Sequence, residues 1–220
     1  MKGLMTKDFR LFLHQKRFFM VIMFIALIFA FSSDSSFVIF YMTFIGGVFV
    51  MSTISYDEFN NGMPFLMTLP ITRKTYAREK YVFGIASGLI MWGIGVASAL
   101  VGWLISRSKG GMTDINEIIV QAAVSIPVLI IIISVMIPIQ LKFGSEKGRM
   151  VWFIAAAVII LAGFGMEAIA DMTGIDMSGI AEALSKISGN VILIILAVTT
   201  VIVLLISIAI SSIIMEKKEF

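Results

Sequence analysis

Cysteine is absent from the 220 residues. The chain therefore has no disulfide framework, no thiolate nucleophile and no cysteine-based zinc site. Histidine occurs once, as His14. A lone histidine at the edge of an amphipathic stretch reads as a surface residue, not a ligand or base. Charge is also scarce. Asp, Glu, Lys and Arg make up 14% of the residues and apolar types 59%, against roughly 25% and 45–50% in ordinary soluble domains. Mean hydropathy is +1.02. A soluble core cannot hide so much apolar surface, so a bilayer must act as solvent for much of the chain.

The missing charges are not spread evenly. Six runs contain no Asp, Glu, Lys or Arg: 18–33, 35–56, 81–106, 118–141, 150–166 and 187–215. A membrane-crossing helix needs about 20 mostly apolar residues, and a charge at its centre costs about 2.5–3.5 kcal/mol. The expectation is an all-α fold, an integral membrane bundle of six transmembrane helices forming a single domain over 1–220. The two short runs are lengthened by snorkelling flanks, Lys16 and Arg17 before the first and Arg149 before the fifth. A cleaved signal peptide is disfavoured, because Phe31-Ser32-Ser33-Asp34 leads straight into the second run without a small-residue cleavage site. With no carboxylate inside a run, a proton-coupled antiporter or ion pump lacks its usual relay. An intramembrane enzyme likewise lacks a charged pair, a histidine or a cysteine.

Lys and Arg outside the runs set the orientation. Segments 1–17, 57–80 and 142–149 and the tail together carry fourteen basic residues; the intervening loops carry only Arg107, Lys109 and Lys186. Both termini are expected in the cytoplasm. Within the runs, Gly84 and Gly88 make a GxxxG step, with Ala26 and Ala30 a milder version. Such spacing lets helices approach closely, within one bundle or at an interface. Pro127 and Pro138 lie inside the fourth run and favour a bend.

The segments outside the runs have patterns of their own. In 1–17, Leu4, Met5, Phe9, Phe12 and Leu13 recur at helical spacing, with Lys7, Arg10, His14 and Arg17 mostly on another face. This reads as an amphipathic helix lying at the inner leaflet. Segment 57–80 has 24 residues, more than a bare connection needs. It sets Phe59, Met63, Phe65, Leu66 and Leu69 among charges, breaks at Pro70, and offers Thr72 as a helix N-cap. Exposed apolar groups rimmed by charge mark docking surfaces. In 167–189, Ile169, Met172, Ile180, Leu184 and Ile187 fit short helices on the outer surface.

The acidic close of the second run, followed by Leu66-Met67-Thr68-Leu69-Pro70-Ile71-Thr72-Arg73, resembles the TLPISR loop of type-2 ABC exporter permeases, with Thr72 in place of the usual serine. Pro138 and the stretch Lys142-Phe143-Gly144-Ser145-Glu146-Lys147-Gly148-Arg149 resemble the second cytoplasmic loop of the same family. The two motifs cover about a tenth of the chain, and the hydropathy layout covers all of it. Within the family the likeness is to small bacterial permeases that export phenol-soluble modulins or confer lantibiotic or bacitracin resistance.

That resemblance implies a transport subunit of the bacterial cytoplasmic membrane that does not itself hydrolyse ATP. Gly144-Ser145-Glu146-Lys147-Gly148 has neither the spacing nor the Lys-Ser/Thr end of a phosphate-binding loop. The implied partners are a separate ATP-binding-cassette ATPase, a second permease copy or paralogue, the lipid bilayer and an amphipathic peptide cargo. No cofactor, metal, catalytic residue or nucleic acid is expected. By the same resemblance, 59–69 is the main ATPase-coupling helix and 142–149 a lesser contact. The residues implied in coupling are Asp57, Glu58, Phe59, Met63, Phe65, Leu66, Leu69, Arg73, Lys142, Glu146, Lys147 and Arg149. Phe59, Phe65 and Leu66 are the expected docking anchors. Asp57 and Glu58 either pair with basic groups or simply end a helix in solvent. The alternative to an exporter is a membrane-embedded binding or immunity protein that works without an ATPase.

Overall fold

A computed structural model describes residues 1–31, 35–108, 115–173 and 189–218, with side chains between 158 and 188 outside the description. The described residues form seven α-helices and one short 3-10 turn. They are α1 (Lys2–His14), α2 (Lys16–Phe31), α3 (Ser35–Glu58), the 3-10 turn (Phe59–Asn61), α4 (Gly62–Thr68), α5 (Arg73–Ser108), α6 (Ile115–Thr173) and α7 (Gly189–Lys217). Four segments are long and apolar enough to cross a membrane: Phe37–Glu58, Arg73–Ile105, Ile115–Ser145 and Val191–Lys217. The chain is a multi-pass membrane protein.

The expected first run, 18–33, falls mostly in α2. At 16 residues and about 1.5 Å per residue, α2 spans about 24 Å, short of the roughly 30 Å hydrocarbon core. It joins α1 at Gln15 with a bend of 63°, and only the bent pair together has the composition of a fifth span. Segment 150–166 continues α6 as helical backbone, but most of its side chains lie outside the described residues, as do 174–188, where outer helices are expected.

Helix α3 is the centre of the bundle and packs chiefly on α5 and α6. Its glycines allow the approach. A Cβ added at Gly46 would lie 2.7 Å from both the Met91 Cβ and the Ser87 carbonyl oxygen. The Ser87 hydroxyl uses that proximity, donating to the Gly46 carbonyl at 2.8 Å. The GxxxG step serves contacts within the chain: Gly84 faces Val50 and Ile133, and Gly88 faces Leu129. Other polar stitches cross the bundle. Trp92 Nε1 donates to the Ala122 carbonyl at 3.0 Å, and the Tyr81 hydroxyl lies 2.5 and 2.7 Å from those of Ser207 and Ser211. Inside a membrane such bonds replace the hydrophobic drive as glue between helices.

Gly46→Ala is therefore expected to lower stability by about 1–3 kcal/mol, the range for overpacking. One of the atoms in its way is backbone and cannot turn aside. Gly93→Ala, where an added Cβ meets nothing within 4 Å, serves as control. Thermal unfolding of the two variants in the same detergent compares them; equal midpoints would remove Gly46 from the packing argument.

Both prolines of α6 sit within its helix, and the break in helical backbone falls at Gly144, with φ 77° and ψ 172°. That region is essentially closed to residues with a Cβ. Helix α7 exposes Ile194, Ile195, Val198, Val201, Ile202, Leu205 and Ile206, a broad aliphatic surface that suits lipid.

Candidate functional site

A cluster of charged residues gathers at one end of the bundle, around the last turn of α3. The approach of α1 explains how. Leu4, Asp8 and Phe12 recur every four residues and form its buried stripe. The Phe12 ring meets Phe49 of α3 edge-on at 5.0 Å, and Phe9 meets Phe83 of α5 at 5.3 Å. Asp8 is carried into the protein between these apolar neighbours. The expected apolar face of α1 is thus used as a packing face toward α3 and α5, while Leu13 stays exposed.

Asp8 enters an enclosed ion cluster. The Lys80 ammonium, itself fully buried, lies 2.5 Å from Asp8 Oδ2 and 2.8 Å from Asp57 Oδ2. It also donates to Thr53 Oγ1 at 3.3 Å and sits 4.9 Å over the Tyr76 ring. Lys7 bridges the same carboxylates, 3.1 Å from Asp8 Oδ1 and paired with Asp57 Oδ1. The Tyr76 hydroxyl donates to Asp57 Oδ2 at 3.0 Å. Glu79 is buried beside them, its Oε2 3.7 Å from the Lys80 ammonium, and neither carboxylate oxygen has a hydrogen-bond donor among the described residues. Three helices, α1, α3 and α5, are held by this one set of charges. Burying an ion costs several kcal/mol, and only multiple close partners offset it.

Glu58, the next residue, reaches a different set. Its Oε2 accepts the Ser145 backbone N–H at 2.6 Å, and its Oε1 receives Lys218 at 3.2 Å. Lys218 also donates to the Leu141 carbonyl at 3.0 Å. Glu58 therefore ties the Gly144 break of α6 to the residue following α7. Nearby, Arg73 donates to the Glu216 carbonyl at 2.8 Å, and Lys74 pairs with the Glu216 carboxylate at 2.9 Å.

From this braced root the chain turns outward. Asn61 adopts the left-handed conformation, φ 58°. At Gly62 a Cβ would lie 2.8 Å from the Asp57 carbonyl oxygen, so the turn requires glycine there. Helix α4 then runs seven residues and stops where Leu69 becomes extended before Pro70. Thr72 caps α5 as its position implies: the Thr75 N–H donates to Thr72 Oγ1 at 3.1 Å. Phe59 and Phe65 are 70% and 69% exposed, and Leu69 is exposed too. Met63 is 3% exposed and belongs to the core, and Leu66 packs against that core half-buried. Lys142 and Lys147 are exposed, whereas the side chains of Glu146 and Arg149 lie outside the description.

The structure thus brings Asp57, Glu58 and Arg73 into ion and hydrogen-bond networks and presents Phe59, Phe65 and Leu69 to the surroundings. Sequence reasoning missed Asp8, Tyr76, Glu79 and Lys80. The signal for Asp8 was present: an acidic residue on the apolar stripe of an amphipathic helix needs a buried cation. Lys80 was counted only among the basic residues that set the orientation, although Thr72 as N-cap already places it in the first turns of α5, which begins at Arg73.

A cavity of about 820 Å³ opens beside this end, between α2, α3 and α6. Phe18, Phe49, Tyr56 and Met136 give it a largely apolar wall, and Phe59 reaches its edge. Gln140 supplies a fixed polar group, its Nε2 donating to the Met51 carbonyl at 2.8 Å and to Ser55 Oγ at 3.0 Å.

Comparison with curated proteins and with solved structures finds no match to the chain. A sequence model for the ABC-2 family transporter protein, however, matches residues 3–216, nearly the whole length. The chain belongs to the ABC-2 family of transporter proteins.

Proposed function

We propose that the chain is the permease subunit of an ATP-driven exporter, with α4 as its contact to the ATPase and amphipathic peptides as its cargo. Members of the ABC-2 family are membrane transport components and usually partner with an ATP-binding-cassette ATPase. The observation that carries the reading is the pair of exposed rings, Phe59 and Phe65, on a short segment rooted in two ion networks. Exposed aromatic groups on a braced segment suit the transmission of a push, since the load passes from a docked partner into α3 and α5 without first deforming a loop.

The cargo reading is supported by the cavity. Aromatic and aliphatic walls with Ser52, Ser55 and Gln140 among them match a ligand with one apolar and one polar face. Six spans in a single domain over 1–220, two permease copies in the working unit, and both termini in the cytoplasm of a bacterial cell complete the proposal. The fourteen basic residues in 1–17, 57–80, 142–149 and the tail, against three in the other loops, support the orientation.

The test is affinity capture of the tagged chain from its native membrane. The expected companion is a soluble ATPase bearing a phosphate-binding loop, and ATP hydrolysis is expected from the complex but not from the isolated chain. Full peptide resistance or transport by the chain in cells lacking every such companion would overturn the proposal. It would leave instead a membrane-embedded binding or immunity protein.

A further inference from the structure

A second apolar groove, of about 580 Å³, runs between the same ends of α6 and α7. Ile139 and Phe143 of α6 and Ile210 and Ile214 of α7 are among its apolar wall, and three lysines, Lys142, Lys217 and Lys218, also line it. The lysines stand where both helices leave their apolar runs, which is where a membrane meets water. The Lys218 ammonium is fixed by Glu58 and the Leu141 carbonyl, while Lys142 and Lys217 are exposed. Glu216, which precedes Lys217 in sequence, is engaged by Lys74.

We propose that this groove binds an anionic phospholipid, one acyl chain along the isoleucine wall and the headgroup phosphate between Lys142 and Lys217. The chemistry of the lining is divided in the way such a ligand is divided, aliphatic along one part and cationic at the helix ends. The volume lies within the roughly 300–1,000 Å³ of ordinary ligand sites. The last carbonyls of α7 carry the negative end of its dipole, so the lysine side chains, not the backbone, must hold the anion. Basic groups at helix ends beside a membrane favour acidic headgroups in this manner. The exposed aliphatic surface of α7 leads from surrounding lipid into the groove. The inference rests on α6 and α7 crossing the membrane and is independent of any coupling role for α4.

The experiment places the full chain in phosphatidylcholine nanodiscs with and without phosphatidylglycerol, and measures thermal unfolding and lipid retained in native mass spectrometry. Phosphatidylglycerol is expected to raise the unfolding midpoint and to be retained by the wild type. Lys142→Gln with Lys217→Gln should weaken retention on the order of thirtyfold, about one kcal/mol for each lysine near the surface. Ile210→Trp, which fills the groove and keeps the lysines, should also displace the lipid. Lys2→Gln with Arg10→Gln removes the same charge outside the groove and should change little. Equal loss in that control pair would show general attraction to acidic surfaces and overturn the site. Equal stabilisation by inorganic phosphate alone would show a free-anion site and overturn the lipid. Retention unchanged in the groove variants would overturn both.

Discussion

Replacing Phe65 by Asp is expected to leave the chain folded in the membrane and to abolish both its association with the ATPase and its transport. Phe65 is 69% exposed, so the fold loses little when the ring goes. A docked partner loses more. Withdrawing one buried apolar side chain costs about 1.5–3 kcal/mol, and an unpaired carboxylate in the partner's groove costs more. Since about 1.4 kcal/mol is tenfold in affinity, the association should weaken by a hundredfold or more. Phe59→Asp should behave alike. Leu66 is a poorer probe, because its half-buried side chain also packs on the core. The control is Ser108→Asp at the far end of α5. Membrane level, copurified ATPase and transport are read on the same preparations. A Phe65→Asp chain that keeps its partner and its transport would reduce α4 to an ordinary connection.

Lys80→Met is expected to destabilise the chain itself, by about 3–5 kcal/mol, the cost of stranding a buried charge. The substitution removes the cation that lies between Asp8 and Asp57, leaving two buried carboxylates to the single, partly exposed ammonium of Lys7, which meets only their Oδ1 atoms. Folded proteins have only about 5–15 kcal/mol in hand, so the variant should accumulate poorly and unfold at a much lower temperature. Adding Asp8→Asn and Asp57→Asn to Lys80→Met neutralises the stranded carboxylates and should recover much of the loss. Size-exclusion profiles of heated membrane extracts follow all three states. If Lys80→Met unfolds at the wild-type temperature, the cluster contributes nothing to holding α1 against α3 and α5.

The long elements were legible because the bilayer imposes a simple rule: charge is excluded over a helix length. Runs 35–56, 81–106 and 118–141 each fall within one helix, and the described part of 187–215, from Gly189 onward, lies in α7. The start of α5 at Arg73 was marked not by this rule but by Thr72 as an N-cap. Hydropathy counts Lys80 as solvated, whereas residues distant in sequence, Asp8 and Asp57, make its burial possible. Pair chemistry across 72 residues shows locally only as an acid out of place on the apolar stripe of α1. The non-helical backbone within α6 needs positive φ and falls on Gly144, inside the 142–149 loop that the charge pattern marks. At the candidate site, periodicity marked 59–69 as apolar but could not sort it. Met63 turns into the core while Phe59 and Phe65 turn out, a distinction set by the left-handed Asn61 and the tight contact at Gly62.

Asp57 and Glu58 are neighbours in sequence, yet their side chains belong to different assemblies. One is tied to α1 and α5, the other to the Gly144 break and the end of α7. Consecutive residues on a helix point about 100° apart, and their Cα atoms are held about 3.8 Å from each other by a single peptide unit. The two halves of the basic end therefore share one covalent hinge-pin. Neither half can slide along the bundle without either breaking its own ion contacts or dragging the other with it. Length is consequently constrained at this point in a way it is not elsewhere in 57–80: a residue inserted after Thr68 lengthens a connection, but one inserted between 57 and 58 turns one carboxylate out of register with its cation.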